Sequence, residues 1–538
     1  MKGSSFFQDE RWQWVSLLVL CSALFFPGLG ARDFWAPVEP RYAEIARVMF
    51  TKGEWIVPTV NGKLYTDKPI LYFWLILVVS KLAGAVNEWT VRLPVALAGV
   101  GFVSVTYCLG RDFFSARIGL LAAAILATMV RVIWEARWAH IDILFCFFFL
   151  FSVYHAARAV LKKGHPNEIL IAYVFMGLAT LAKGLIGIVL PALLLIGFMV
   201  ARRDWRMLAA AKLHWGIPIF LVVVVPWLYL VSSATDGKWL TEFIYVHHLR
   251  RYTAWIGHRE PFYYYLTTLP VDVLPWTIFA IPALYSYRGY GYLLAEPSKL
   301  LLVVWFLVVF VFFSASDSKR DLYLLPLLPT VAIFIAHYFD DLAAGRLQGP
   351  LFRLVTLIFY SLLTVTGLIL PWAAWLVRRD VFWISLPTAA VLTAAGGLAI
   401  YFVWRKQPLK LAALTALAMV LTMLSIVFWI FPYVERFKSR RFFSMEVQTI
   451  VPHDATVYVY DDEMNDFNYY MQREVIPVLR SRAAVEKLMG GGSGAYLLIK
   501  STDLKRLGII APQQIRITGA IGSTLWNLVA LGGSPPQR

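Results

Sequence analysis

The residues of this chain that could do chemistry are charged side chains set against long apolar runs. Glu39 lies in Val38-Glu-Pro-Arg-Tyr42. Pro40 suits the first turn of a helix, and a carboxylate is favoured at a helix N-terminus. Glu39 either caps that helix or presents its charge to a substrate, with Arg41 and Tyr42 just inside the helix. Tyr65-Thr-Asp-Lys-Pro69 sets Asp67 beside Lys68, as a surface ion pair or as an acid and a cation for a ligand. Arg137 and Asp142 bracket a short connection in Arg137-Trp-Ala-His-Ile-Asp142. Lys183 interrupts two apolar runs, where it either snorkels to an interface or meets an anionic head group. Tyr245-Val-His-His-Leu-Arg-Arg-Tyr252 offers His247, His248 and Arg251, the paired histidines being metal ligands with a carboxylate such as Asp67 or ordinary interfacial residues. Ser316-Asp-Ser-Lys-Arg-Asp-Leu-Tyr323 adds Lys319 and Tyr323. Basic residues interleaved with aromatics suit a phosphate attached to a sugar or an isoprenoid.

Apolar helices must position these groups. Of 538 residues, 59% are hydrophobic and only 15% charged, against about 45–50% and 25% in soluble domains. The mean hydropathy is +0.65. The net charge of +17 falls in short clusters between apolar runs, the pattern by which a membrane protein orients itself, so nucleic acid is a poor partner. Cys21, Cys108 and Cys146 each sit inside an apolar run, which argues against a disulfide framework or a thiolate metal site. The expected class is a multi-pass α-helical membrane protein.

A span needs about 20 predominantly apolar residues. Thirteen runs qualify, from a retained signal anchor at 14–30 to a last run beginning near Leu409, and Ile70 to Val86 is assigned to the membrane surface. The basic clusters then occupy alternate loops, which become cytoplasmic. The opposite side receives loops 31–90 and 234–270 and all that follows Pro432. The expected domains are 1–432 in the membrane and 433–538 outside the cytoplasm. The second has strand-like segments at 456–460 and 495–500 and a short helix at 483–489. Asp461, Asp462 and Asp466 there form a cation patch or a solvated turn.

The motifs Glu39-Pro-Arg-Tyr-Ala-Glu-Ile-Ala-Arg47, Gly53-Glu-Trp-Ile-Val-Pro58, Tyr65-Thr-Asp-Lys-Pro69, Val91-Arg-Leu-Pro94, Asp142, Leu181-Ala-Lys-Gly184, Pro226-Trp-Leu-Tyr229, His258 to Tyr265 and Ser318 to Pro326 occur in one order across the membrane region. In this the chain resembles the integral-membrane GT-C glycosyltransferases, specifically the aminoarabinose (lipid A) transferase and dolichyl-phosphate-mannose-protein mannosyltransferase-like group. The resemblance implies a GT-C fold in a bacterial inner membrane, with a small α/β C-terminal domain in the periplasm. It implies transfer of a sugar from a polyprenyl-phosphate (undecaprenyl-phosphate) carrier to a periplasmic acceptor, foremost 4-amino-4-deoxy-L-arabinose to a lipid A phosphate. The alternatives are a protein O-mannosyltransferase, another surface-glycan transferase, or a sugar-lipid transporter.

The family usually carries adjacent Asp and Glu in the first loop, and this chain has Val38-Glu39. A hydroxyl acceptor needs a base, whereas a phosphate, with its second pKa about 6, is already largely anionic. Loss of the Asp therefore suits a phosphate acceptor, or Glu39 or Asp33 taking over. The expected roles are Lys68, Lys183 and Arg137 at the donor phosphate, and Glu39 with Asp142 or Asp33 orienting the acceptor. Lys319 and Arg251 are expected to contact phosphates, and Asp67 with His247 or His248 to hold a divalent metal such as zinc.

Overall fold

The fold was analysed in a computed structural model, which describes residues 9–161, 163–246, 260–288, 296–347, 349–463, 465–490 and 494–531. The chain forms two compact units. One comprises Met1–Leu29, Thr66–Tyr72 and Arg92–Ile430, the other Gly30–Tyr65, Phe73–Val91 and Phe431–Arg538.

The first unit is helical. Among the described residues 8 helices are long and apolar enough to cross a membrane, or up to 10 if two bent pairs each count as one span. Thirteen spans were expected. Three of the expected runs form the helices Glu10–Phe25, Glu168–Lys183 and Ile186–Arg202, of 16, 16 and 17 residues, at the short end of what spans a bilayer. The helix Leu71–Ala83, most of which belongs to the second unit, has 13 residues, too few for a crossing. Small residues let neighbouring helices approach: a Cβ on Gly110 would lie 2.6 Å from the Cα of Gly119, so main chain meets main chain there. Buried polar side chains find partners inside the unit, as where the Tyr107 hydroxyl donates to Gln13 at 2.7 Å.

The second unit holds a mixed sheet built from β3 (Val457–Tyr460), β4 (Val478–Leu479), β5 (Ala495–Lys500), β6 (Ile515–Ile521) and β7 (Thr524–Leu531). The strand order is β4-β3-β5-β7-β6; β3 pairs in parallel with β4 and β5, while β7 runs antiparallel to both neighbours. Side chains alternate across a strand, so β5 sends Leu498 to one face and Leu497 and Ile499 to the other. The first face packs on Phe443, Val447 and Phe467, the second on Val485 and Leu507. Strands at 456–460 and 495–500 and the helix at 483–489 were expected; the β6–β7 hairpin was not.

The same unit contains much of the first long loop, with the helix Val38–Lys52 and the hairpin β1 (Thr59–Val60) and β2 (Lys63–Leu64). Asn61, at the turn of that hairpin, receives the Ile476 amide proton at 2.7 Å and donates to the Ile476 carbonyl at 3.0 Å. The boundary drawn at 433 therefore divides segments that pack together.

Asp462 and Asp466 are neither a solvated turn nor an open cation patch. Both are buried and ion-paired with Arg440, at 3.2 and 2.9 Å, and the guanidinium lies 4.9 Å from the rings of both Phe467 and Trp526. Burial pushes the Asp466 carboxyl up from 3.8 to about 6, against the lowering pull of Arg440. The folded domain thus binds a proton more tightly than the unfolded chain between those values, so its stability falls as pH rises from about 4 to about 6 and levels off above. Hydrogen exchange of β3 and β5 in the whole protein should show this slope, and Asp466→Asn should flatten it. A slope of opposite sign would mean that the ion pair outweighs burial.

Candidate active site

Two buried charge clusters, one in each unit, contain several of the residues singled out in the sequence. In the first unit, Ile141–Val160 and Glu168–Lys183 form a helical hairpin. Antiparallel packing brings the start of one helix to the end of the next. Asp142 occupies the first turn of the former, where an anion is favoured, and Lys183 is the last residue of the latter, where a cation is. The Lys183 ammonium lies 2.5 Å from Asp142 Oδ1, and the two side chains are only 13% and 16% exposed. Lys183 Nζ also stands 5.0 Å from the ring of Phe145 and 5.1 Å from that of Tyr323, so it is enclosed by an anion and two π faces. Gly184 follows with φ +97°, a conformation that glycine permits and that ends the helix beside Lys183.

Lys68 and His140 are close enough for their charges to act on the Asp142 carboxylate. Lys68 Nζ lies 3.2 Å from both the carboxylate and the carbonyl of Asp67. Imidazole Nδ1 of His140 is 3.0 Å from Glu135 Oε2, and Glu135 is fully buried. Glu135 Oε1 in turn lies 3.3 Å from Arg131, whose other nitrogens reach Asp272 at 2.8 Å and Asp321 at 2.5 Å. Asp321 opens the 3-10 segment Asp321–Leu327 that carries Tyr323. One chain of charges therefore runs from His140 to the segment that supplies the ring beside Lys183. A bend of 65° between Ala116–Ala127 and Val130–Arg137, held by the Val130 amide on the Leu274 carbonyl at 3.0 Å, positions Arg131 and Glu135.

The sequence analysis singled out Lys68, Asp142, Lys183 and Tyr323, and these are brought together. It missed Arg131, Glu135, His140, Asp272 and Asp321. Arg131 and Glu135, four apart within an apolar segment, were the available signal.

Two expectations in this unit require correction. Arg137, expected at the donor phosphate, is buried and donates to the carbonyls of Leu24 at 2.7 Å and Pro27 at 2.6 Å. A helix end leaves carbonyls without intrahelical partners and attracts cations, and Arg137 serves the end of Glu10–Phe25. Arg137→Met is expected to destabilise the protein by about 1–3 kcal/mol through the abandoned acceptors and to leave kcat unchanged. Thermal unfolding measured beside turnover checks this; lost turnover with unchanged unfolding would return Arg137 to the donor. Lys319 is buried as well, donating to the carbonyls of Ser316 at 2.6 Å and Glu260 at 3.2 Å, so it ties a loop instead of projecting toward a phosphate.

In the second unit Glu39 is fully buried. It accepts from Arg32 at 3.0 and 2.8 Å, a two-pronged contact, and from the Trp35 amide at 3.1 Å, with the Arg32 guanidinium 4.5 Å above the Trp35 ring. Asp33 accepts from the Ser439 hydroxyl at 2.5 Å and from Arg441 at 3.1 Å. Glu435 receives the Asp33 amide and the Trp35 indole. Each of these carboxylates is thus bonded within its own unit, where the expectation had Glu39 or Asp33 orient an acceptor. Tyr42 packs edge-on against Tyr65 and Phe73, and Arg41 is half-buried in the same helix. Glu44, fully buried on Arg47 at 2.7 Å, has its carboxyl pushed up to about 7 by burial.

His247, His248 and Arg251 lie outside the described residues. Asp67 has Lys68 on its carboxylate, and among the described residues no three His, Cys, Asp or Glu side chains gather as a metal set. The described donor set does not compose a metal site.

A family profile described as dolichyl-phosphate-mannose-protein mannosyltransferase matches residues 67–230, the stretch that carries Lys68, His140, Asp142 and Lys183. The chain is 26% identical over 460 residues, 84% of its length and 83% of the relative's, to an undecaprenyl phosphate-alpha-4-amino-4-deoxy-L-arabinose arabinosyl transferase of Shewanella sediminis. It is 29% identical over 339 residues to the protein of that name from Pseudomonas paraeruginosa, spanning about 60% of that relative. In structure it is similar to ArnT from Cupriavidus metallidurans bound to undecaprenyl phosphate, with a TM-score of 0.77, 22% identity, and 97% and 99% of the two chains covered. It is also similar to the apo Archaeoglobus fulgidus oligosaccharyltransferase, with a TM-score of 0.56, 12% identity, and 92% and 70% covered.

Proposed function

From the GT-C membrane glycosyltransferase fold of this chain, we propose that it is a polyprenyl-phosphate-dependent glycosyltransferase that moves 4-amino-4-deoxy-L-arabinose from undecaprenyl phosphate to a phosphate of lipid A at the periplasmic face. The observation that carries this reading is the enclosed Lys183–Asp142 pair, which the Lys68 charge also reaches, in a chain similar along most of its length to a named arabinosyl transferase.

The reaction breaks the bond between the anomeric carbon and the carrier phosphate and forms one from that carbon to the acceptor oxygen. Negative charge grows on the departing phosphate, and cations held in place beforehand stabilise it there most effectively. Lys183 and Lys68 supply that charge. Asp142 keeps Lys183 aimed before the donor arrives, and shares it with the phosphate when it does. Tyr323 and Phe145 wall the ammonium from bulk water, so its field reaches the phosphate less screened. His140, oriented by Glu135, borders the same cluster and fixes its shape.

Val38 and the burial of Glu39 favour a phosphate acceptor. A hydroxyl acceptor needs a base, and the first-loop carboxylates are already committed to Arg32, Arg441 and Ser439. A phosphate acceptor arrives largely ionised and needs positioning. Mass spectrometry of lipid A from cells with and without the gene tests this. A pentosamine-sized addition on a phosphate, present only with the gene, is expected. Unchanged lipid A, with a lost mannose-type modification on exported proteins, would favour the reading that the matched profile's description names.

A further inference from the structure

A second feature of the helical unit lies away from this cluster. Between Tyr264–Asp272 with Thr277–Tyr287, Pro297–Ser314 and the helix Leu328–Ala343 is a cavity of about 400 Å³, within the range of small-ligand sites. Its walls are apolar for most of their length, including Val273, Leu284, Val303, Phe306, Val331 and Phe334. Ile281, Leu284 and Leu307, which also line it, are more than half exposed, so the cavity opens sideways on the surface that faces lipid. An apolar cavity with a lateral mouth in a membrane protein takes a hydrocarbon chain.

Thr277 and Thr330 are the hydroxyl side chains of the lining, while its ionisable groups are not spread evenly. Lys299 and His337 stand at one end with Tyr287, whose hydroxyl donates to the Asp341 carboxylate. That end is the far one from the Lys183–Asp142 cluster, because Pro297 begins the helix whose other end leads to Lys319, and His337 lies more than three turns beyond Asp321 and Tyr323. Lys299 is 5% exposed and has Glu296 at 3.2 Å, a carboxylate that is itself largely exposed. His337 stacks edge-on against Phe114, with centroids 4.5 Å apart, and its Nε2 is buried with no hydrogen-bond partner among the described residues. A buried polar nitrogen without a partner costs free energy unless something supplies the missing bond.

We propose that this cavity is a binding site for an anionic phospholipid of the leaflet opposite the reaction, with one acyl chain in the apolar channel. Its phosphate lies at Lys299 and a glycerol ester oxygen at His337 Nε2. Orientation separates this occupant from the isoprenoid tail of the donor. A donor whose phosphate sits at Lys183 and Lys68 would place the hydrocarbon end of its tail against a buried ammonium and an unpaired imidazole. A phospholipid entering from the other leaflet meets the same two groups with its own phosphate and ester. Arg288, one residue beyond Tyr287, adds a further cation at that end, and anionic head groups are attracted to such juxtamembrane cations.

The test uses the full-length protein in vesicles that contain, in separate samples, phosphatidylglycerol, phosphatidylcholine or undecaprenyl phosphate, each with a photoreactive diazirine on its hydrocarbon chain. Cross-linked peptides are mapped by mass spectrometry. Labelling of 277–307 and 328–343 by phosphatidylglycerol, several-fold above phosphatidylcholine, is expected. Lys299→Gln should abolish that preference, and Val303→Trp should abolish the labelling by filling the channel. Should the Trp variant not fold, Leu307→Trp at the exposed mouth takes its place. Equal labelling by the zwitterionic lipid, labelling by undecaprenyl phosphate alone, or no label in these segments would each overturn the proposal. Sugar transfer by the Lys299→Gln protein is expected to persist, which separates failure of this site from failure of the catalytic reading.

Discussion

Lys183→Met is expected to lower the rate of sugar transfer by about 10²–10³-fold, the usual loss when one preorganised charge-stabilising group is removed. The surroundings of Lys183 fix it on every side: Asp142 at 2.5 Å, Phe145 and Tyr323 across its ammonium, and a helix end beneath it. The single substitution also strands Asp142 as a buried charge, and breaking a buried pair costs about 3–5 kcal/mol. Lost activity could therefore arise from lost folding. Lys183→Met combined with Asp142→Asn removes both charges and should recover most of the stability while transfer stays low. Turnover by the folded double variant at a near-normal rate would remove Lys183 from the reaction.

The second large effect is on stability. Glu39→Ala leaves Arg32 inside the protein without its two-pronged partner and frees the Trp35 amide, so a loss of about 3–5 kcal/mol is expected. Read from the sequence, Glu39 was an acceptor-orienting residue whose replacement should spare the fold. The geometry reverses that order. Arg32→Leu with Glu39→Leu should be distinctly more stable than Glu39→Ala alone, as replacement of a whole buried pair commonly is. Thermal unfolding of the purified variants checks this. A stable Glu39→Ala protein without activity would instead restore Glu39 to the reacting centre.

These two residues also mark how far the sequence could be read. Asp142 and Lys183 stood out because charge is rare at the edges of apolar runs, and helix polarity placed one at a start and the other at an end. Arg137 gave the same signal for another reason. Its partners are main-chain carbonyls of Leu24 and Pro27, and a carbonyl has no letter in a sequence. Glu39 misled similarly, since its partner Arg32 is only seven residues away yet proximity in sequence does not reveal burial. Asp462 and Asp466 looked like a wet turn because the guanidinium that holds them, Arg440, is more than twenty residues distant. Apolar length and basic loops made the membrane helices legible, while the packing of the first loop with the C-terminal sheet depended on long-range bonds such as Asn61 to Ile476.

The most direct measurement is transfer by the purified protein in vesicles supplied with undecaprenyl phosphate-aminoarabinose and lipid A, following modified lipid A and released undecaprenyl phosphate together. Both products are expected to form in equal amounts with the unaltered protein, and both to fall in step for Lys68→Ala and for the Lys183→Met, Asp142→Asn protein. Undiminished formation of both products by those folded variants would contradict a role for these cations in the transfer.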